Sequence, residues 1–211
     1  MLATRTRKVH LVLHRHPWIS LLGSPALTLW QYGAILSAYH RFHVHVDMTA
    51  AENASAPALS LRPARERLKA DIDCLDLHED SGLANPVPLS LSSSRQVLGA
   101  LYVLHGSSFG ASVLNRNVRK VLPAAPRHYL GAGADRDCWE QLNQELERHS
   151  EDELARHDIL DGARATFQAF GEHVTRHCES ILPAPLQLHS AINKNAVNHH
   201  ETARPQPRSN S

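Results

Sequence analysis

An all-α, single-domain helical bundle is the predicted fold, and three observations carry it. Every long segment of the 211-residue chain repeats its apolar residues at the helical period of 3.6. No stretch alternates apolar and polar residues as a half-buried strand does. Pro17, Gly82, Pro86, Pro88, Pro123 and Pro126 fall between the periodic segments, where helix breakers belong. With 42% apolar residues the chain can bury a core, and no internal repeat is visible. A domain over residues 1–181 and a disordered tail over 182–211 are therefore expected, the tail being rich in Pro, Asn, Gln and His.

Thr4 or Thr6 can cap a first helix carrying Val9, Leu11, Val12 and Leu13 before Pro17 interrupts it. Leu29, Tyr32, Ile35, Leu36, Tyr39, Phe42 and Val46 then fall at helical spacings. The stretch 52–60 reads as a loop or a weak helix, and Leu68, Ile72 and Leu75 form the stripe of the next helix. After a connector over 77–88, a long helix is expected from about Ser92 to Val121. A turn-rich section precedes an amphipathic segment around Trp139, Leu142 and Leu146. The last helix runs from about Asp152 to Ile181, with Ile159, Ala163, Phe167, Phe170 and Val174 on its apolar face.

Composition removes several function classes. A net charge of +1 leaves no electrostatic footprint for nucleic acid or an anionic membrane. The longest apolar run, near Val97 to Leu104, is too short to span a bilayer. The basic N-terminus has no apolar core or cleavage site of a secretory signal. Three cysteines without CxxC spacing fit a reduced, cytoplasmic setting. Nucleophile elbows, phosphate-binding loops, HExxH and cysteine zinc sites are absent.

Two places invite chemistry. His10 lies on the first helix, one turn after Thr6 and behind Arg5, Arg7 and Lys8. A neutral imidazole there can ligate haem iron, or can simply be a polar boundary residue. Gly106 and Gly110 lie on one face of the long helix, each costing about 1 kcal/mol against alanine. They either let another helix approach or leave bare backbone against a flat ligand. Trp139, Phe167 and Phe170 read as core. The 16 histidines are scattered and clustered in ways that surface imidazoles explain.

Five segments, in order along about 170 residues, together resemble the haem oxygenases, most closely the bacterial biliverdin-producing branch associated with bacterial phytochromes. They are LATRTRKVHLVL, LTLWQYGAILSAYHRFHVHVD ending at Asp47, RERLKADIDCL, ALYVLHGSSFGASVL, and Trp139 followed by ARATFQAF. The resemblance implies haem held between a proximal and a distal helix, and its oxidative opening to biliverdin, carbon monoxide and ferrous iron. Haem would be both cofactor and substrate. It implies His10 as axial ligand of the iron, with Gly106, Gly110 and Ser107 on the distal side. Tyr102, Ala111 and Phe167 would meet the haem, and Arg7, Arg127 or Tyr129 could hold its propionates. Electrons would come from an external donor such as a ferredoxin, a flavoprotein reductase or ascorbate, and a bacterial phytochrome is a candidate partner. The alternative is a degenerate haem-binding or haem-sensing protein without turnover. The chain departs from the family's pattern at His105, at Ala111 in place of a glycine, and at Ser107 where animal-type members carry aspartate.

Overall fold

A computed structural model describes residues 2–52, 59–76 and 87–181. Most of the expected loop at 52–60, most of the 77–88 connector and the whole tail lie outside the described residues. Within them the fold is all-helical, without strands. The α-helices are α1 (Leu2–His14), α2 (Leu29–Glu52), α3 (Arg62–Cys74), α4 (Ser94–Val121), α5 (His128–Gly131), α6 (Arg136–Arg148) and α7 (Glu153–Ile181). A 3₁₀ turn at Ile19–Gly23 follows Pro17.

The first helix starts earlier than its sequence suggests. It is helical from Leu2, so Thr6 is an interior residue whose hydroxyl donates to the Leu2 carbonyl at 2.9 Å. Neither threonine caps the helix. Its inward stripe is Thr6, Val9 and Leu13, while Leu11 and Val12 are exposed. Elsewhere the caps follow composition. Ser93 accepts from the Gln96 amide at 3.2 Å to open α4, while Gln96 accepts from Ser92 N–H at 2.8 Å. Asp135 opens α6 by accepting from the Cys138 amide at 3.0 Å.

α2 is buried almost all round, from Gln31 to Tyr39, and forms the middle of the bundle. The closest crossing joins α4 to α7. A Cβ on Gly99 would stand 2.0 Å from the Ile159 carbonyl oxygen, and one on Gly162 would stand 2.1 Å from that of Gln96. Only two bare backbones can meet that closely. The glycines that serve helix packing are therefore Gly99 and Gly162.

Polar contacts tie α3 into this frame. Asp47 of α2 accepts from the Arg65 guanidinium at 2.5 Å and from the Leu61 amide at 3.2 Å. Asp71 of α3 is fully buried and accepts from the His128 and Tyr129 amides at 2.7 and 2.9 Å, and from His128 Nδ1 at 2.7 Å. A side chain from another helix thus takes the first free N–H groups of α5. That anchor fixes where Tyr129 points.

α4 is long and apolar enough, by length and composition, to cross a bilayer. The short run read at Val97–Leu104 understates it. Its packing explains the apolarity: Val97 to Leu101, Val103 and Leu104 are buried, and the next turns border a cavity.

Candidate functional site

Gathering His10 of α1 and Gly106 of α4 into one cavity required the chain to cross the bundle several times. The cavity has a volume of about 350 Å³, within the range of small-molecule and cofactor sites. α1 contributes Thr6, Arg7 and His10, and α2 contributes Tyr39 and His43. The α4 wall holds Tyr102, Gly106, Ser107, Phe109 and Ala111; Tyr129 of α5, Trp139 of α6, and Phe167 and Phe170 of α7 complete it. Eight of the ten residues expected at a haem site or its edge therefore border or enclose one space: Arg7, His10, Tyr102, Gly106, Ser107, Ala111, Tyr129 and Phe167.

His10 has the properties of an available ligand. Its ring is edge-on to His14 at 4.4 Å and to Phe167 at 5.9 Å between centroids. No hydrogen bond from the described residues engages its nitrogens. Burial, and then the neighbouring His14, lower its pKa below the ordinary imidazole value. It is therefore neutral, with a lone pair to offer, at physiological pH. Thr6, buried and bonded to Leu2, is a turn away and does not orient it through a hydrogen bond. Among the described residues no three His, Cys, Asp or Glu side chains converge as a metal-binding set. A metal at His10 would need a ligand frame of its own, which a porphyrin provides.

The two glycines of α4 separate in role. A Cβ on Gly106 would meet the Trp139 indole at 3.6 Å, so the flat group against this backbone is a tryptophan ring. Gly110 is exposed, with nothing within 4 Å of where its Cβ would stand. It contributes no wall to the cavity and leaves open space one turn further along the same helix. Trp139 also packs on Tyr102 (5.6 Å) and Phe109 (5.0 Å), forming an aromatic wall. Composition alone assigns it to the core; the fold places it at the site.

Arg127 does not reach the cavity. Its guanidinium donates to the carbonyls of Leu122, Pro123 and Ala125 at 3.3, 3.2 and 2.6 Å, closing the turn after α4. The expectation that it could hold a propionate is corrected on that ground. Arg7 is then the one arginine or lysine among the lining residues. His105 is also outside the lining, its Nε2 bonded to the Leu59 carbonyl at 3.0 Å. Ala111 is buried at 4% exposure, its methyl group being accommodated within the packed core.

Sequence reasoning named Tyr129 and Ser107 but missed Tyr39 and His43, which form a polar corner with them. His43 Nδ1 donates to the Tyr39 carbonyl at 2.7 Å, and burial lowers its pKa to about 4. Its ring and that of Tyr39 stand edge-on to Tyr129, at 5.9 and 6.2 Å. Burial raises the Tyr129 phenol above its ordinary pKa, and the neighbouring Ser107 hydroxyl opposes that rise. The spacing of Tyr39 and His43, one turn apart on α2, is the only signal the sequence carries for this group.

A second, larger cavity of about 430 Å³ lies beyond Tyr102 and Trp139, which line both spaces. Arg5, Arg156, Glu147, Ile159 and Leu160 border it, and it contains no histidine. Size does not make it the candidate site, because no imidazole among the described residues faces it to ligate a haem iron.

No protein-family model and no solved structure matches the chain. One curated protein from Xanthomonas campestris pv. campestris (strain 8004), named heme oxygenase, is 34% identical over 106 residues. The matched region is 49% of this chain and spans 62% of the relative's length. Over about half its length the chain is thus similar to a protein named heme oxygenase, and it spans less than two thirds of that relative.

Proposed function

We propose that this chain binds haem in the cavity beside His10 and cleaves it oxidatively to biliverdin, carbon monoxide and ferrous iron. The observation that carries the reading is a neutral, unengaged imidazole at an otherwise largely apolar cavity walled by Trp139, Phe167 and Phe170. Similarity to a protein named heme oxygenase supports it.

The residues present fit such a substrate. His10 would ligate the haem iron, and Phe167 and Trp139 would pack against the ring. Arg7 would pair with a propionate at the α1 side of the cavity. Haem supplies the redox iron and the oxidisable ring; the protein positions it, excludes water with its aromatic wall and offers hydroxyl donors. Electrons come from an external donor of the ferredoxin, flavoprotein or ascorbate type, and supply of chromophore to a bacterial phytochrome is a biological use consistent with this product. An intracellular setting suits all of these partners.

Purified protein given haemin, a reductant and dioxygen should bleach the haem spectrum while biliverdin and carbon monoxide accumulate. A stable haem complex without these products would convert the protein into a haem binder or sensor and reject the enzymatic reading.

A further inference from the structure

We infer that the 430 Å³ cavity beyond Tyr102 and Trp139 is a second ligand site, suited to a flat apolar molecule carrying one carboxylate. It stands apart from the haem-cleaving reading, because none of its charged residues borders the His10 cavity.

The lining sorts by depth. Ile159 and Leu160 of α7 are buried, and Leu146 of α6 is half-buried. Arg5, Glu147 and Ser150 are exposed. An apolar floor under a charged rim orients an amphipathic ligand, with its hydrocarbon inward and its charge at the opening. Tyr102 and Trp139 add flat walls, their rings 5.6 Å apart and tilted by 34°. A planar ring packs well on such faces.

Charge at the rim selects the sign of the ligand. Two guanidiniums, Arg5 and Arg156, and one carboxylate, Glu147, leave one net positive charge. Elsewhere on the surface Arg62, Arg95 and Arg164 are already paired, with Glu66, Asp152 and Asp161. Among the described residues Arg5 is in no ion pair. Arg156 donates from one terminal nitrogen to the Ser150 carbonyl at 2.5 Å, which ties it to the junction between α6 and α7. Its remaining N–H groups can serve an anion. A carboxylate at this rim gains charge-assisted hydrogen bonds from either guanidinium. Glu147 repels a second negative charge, so a monocarboxylate fits better than a phosphate or a dicarboxylate.

Trp139 connects the two spaces. It lines both cavities, and its indole lies 3.6 Å from where a Gly106 Cβ would stand. A ring packed on Trp139 is therefore one side chain away from the His10 cavity.

Cinnamate tests the site, with cinnamamide as its neutral counterpart, on the full haem-free chain. An NMR titration should show one cinnamate site, with an affinity about tenfold above that for cinnamamide, the scale of one hydrogen bond to a charged group. Arg5→Gln and Arg156→Gln should each remove about that tenfold advantage and leave cinnamamide binding unchanged. Arg5 makes no ion pair among the described residues, so its variant reads ligand contact and not folding. Nuclear Overhauser effects should connect cinnamate protons to the Ile159 and Leu160 methyl groups. Protein loaded with haemin should still take up cinnamate. No cinnamate binding, equal affinity for the two compounds, full affinity in both arginine variants, or contacts to Phe167 in place of Leu160 would each overturn the second site. Displacement of cinnamate by haemin would overturn it too, making this space part of the haem pocket. If haemin fails to bind at all, the haem-cleaving reading falls while the cinnamate titrations still decide this one.

Discussion

At the scale of single residues, the glycines give the sharpest contrast. Gly99 and Gly162 have backbone within 2.0 and 2.1 Å of an added Cβ, so neither helix can yield without separating α4 from α7. Alanine at either position should lower stability by about 3 kcal/mol, the upper part of the overpacking range, read as a drop in the denaturant midpoint. Gly110→Ala meets open space and should raise stability by about 1 kcal/mol through helix propensity. Because Gly110 lies outside the cavity lining, the same substitution should leave haem affinity close to wild type. A haemin titration and a denaturant melt on this one variant check both expectations. The sequence shows that glycines are costly in α4, but it does not show which ones face another backbone. That depends on the crossing point of α4 and α7, a property of the folded pair.

At the scale of elements, the helices and their order were legible because each carries its own period and its own breakers. Ser93, Asp135 and Pro123 mark boundaries by local chemistry that needs no tertiary partner. The start of α1 was not legible, since Thr6 bonds within the helix instead of capping it. The polar corner was equally hidden. His43, Tyr129 and Ser107 come from three helices and meet only after α5 is seated by Asp71. Asp71→Asn or Asp71→Ala should therefore disturb the site at a distance. The carboxylate's bonds to two amides and an imidazole are replaced or lost, leaving buried N–H groups without partners. Asp71→Ala should cost about 3 kcal/mol and broaden the Tyr129 ring resonances, measured by denaturant melts and NMR.

At the scale of the whole molecule, three buried histidines set an acid limit. His43, His173 and His177 all have folded-state pKa values near 4, burial being the first cause in each, against an ordinary 6.5. Below 6.5 the unfolded chain takes up protons that the folded chain refuses. Their contribution is therefore fully present above about pH 6.5 and is lost as pH falls toward 4. Urea melts across that window should show stability declining with acid, and His173→Gln or His177→Gln should flatten the slope. An unchanged slope would mean these rings are hydrated in the native state. None of this pH dependence is visible in a count of 16 histidines, because burial decides which imidazoles matter.

The most direct test of the account compares haemin titrations of the wild-type protein and His10→Ala. Wild type should bind one haem with a Soret band and electron paramagnetic resonance signal of an imidazole-ligated ferric iron. His10→Ala should lose that signature and regain it when imidazole is added to the buffer. Identical spectra for the two proteins, or no binding by wild type, would contradict the assignment of this cavity as a haem site held by His10.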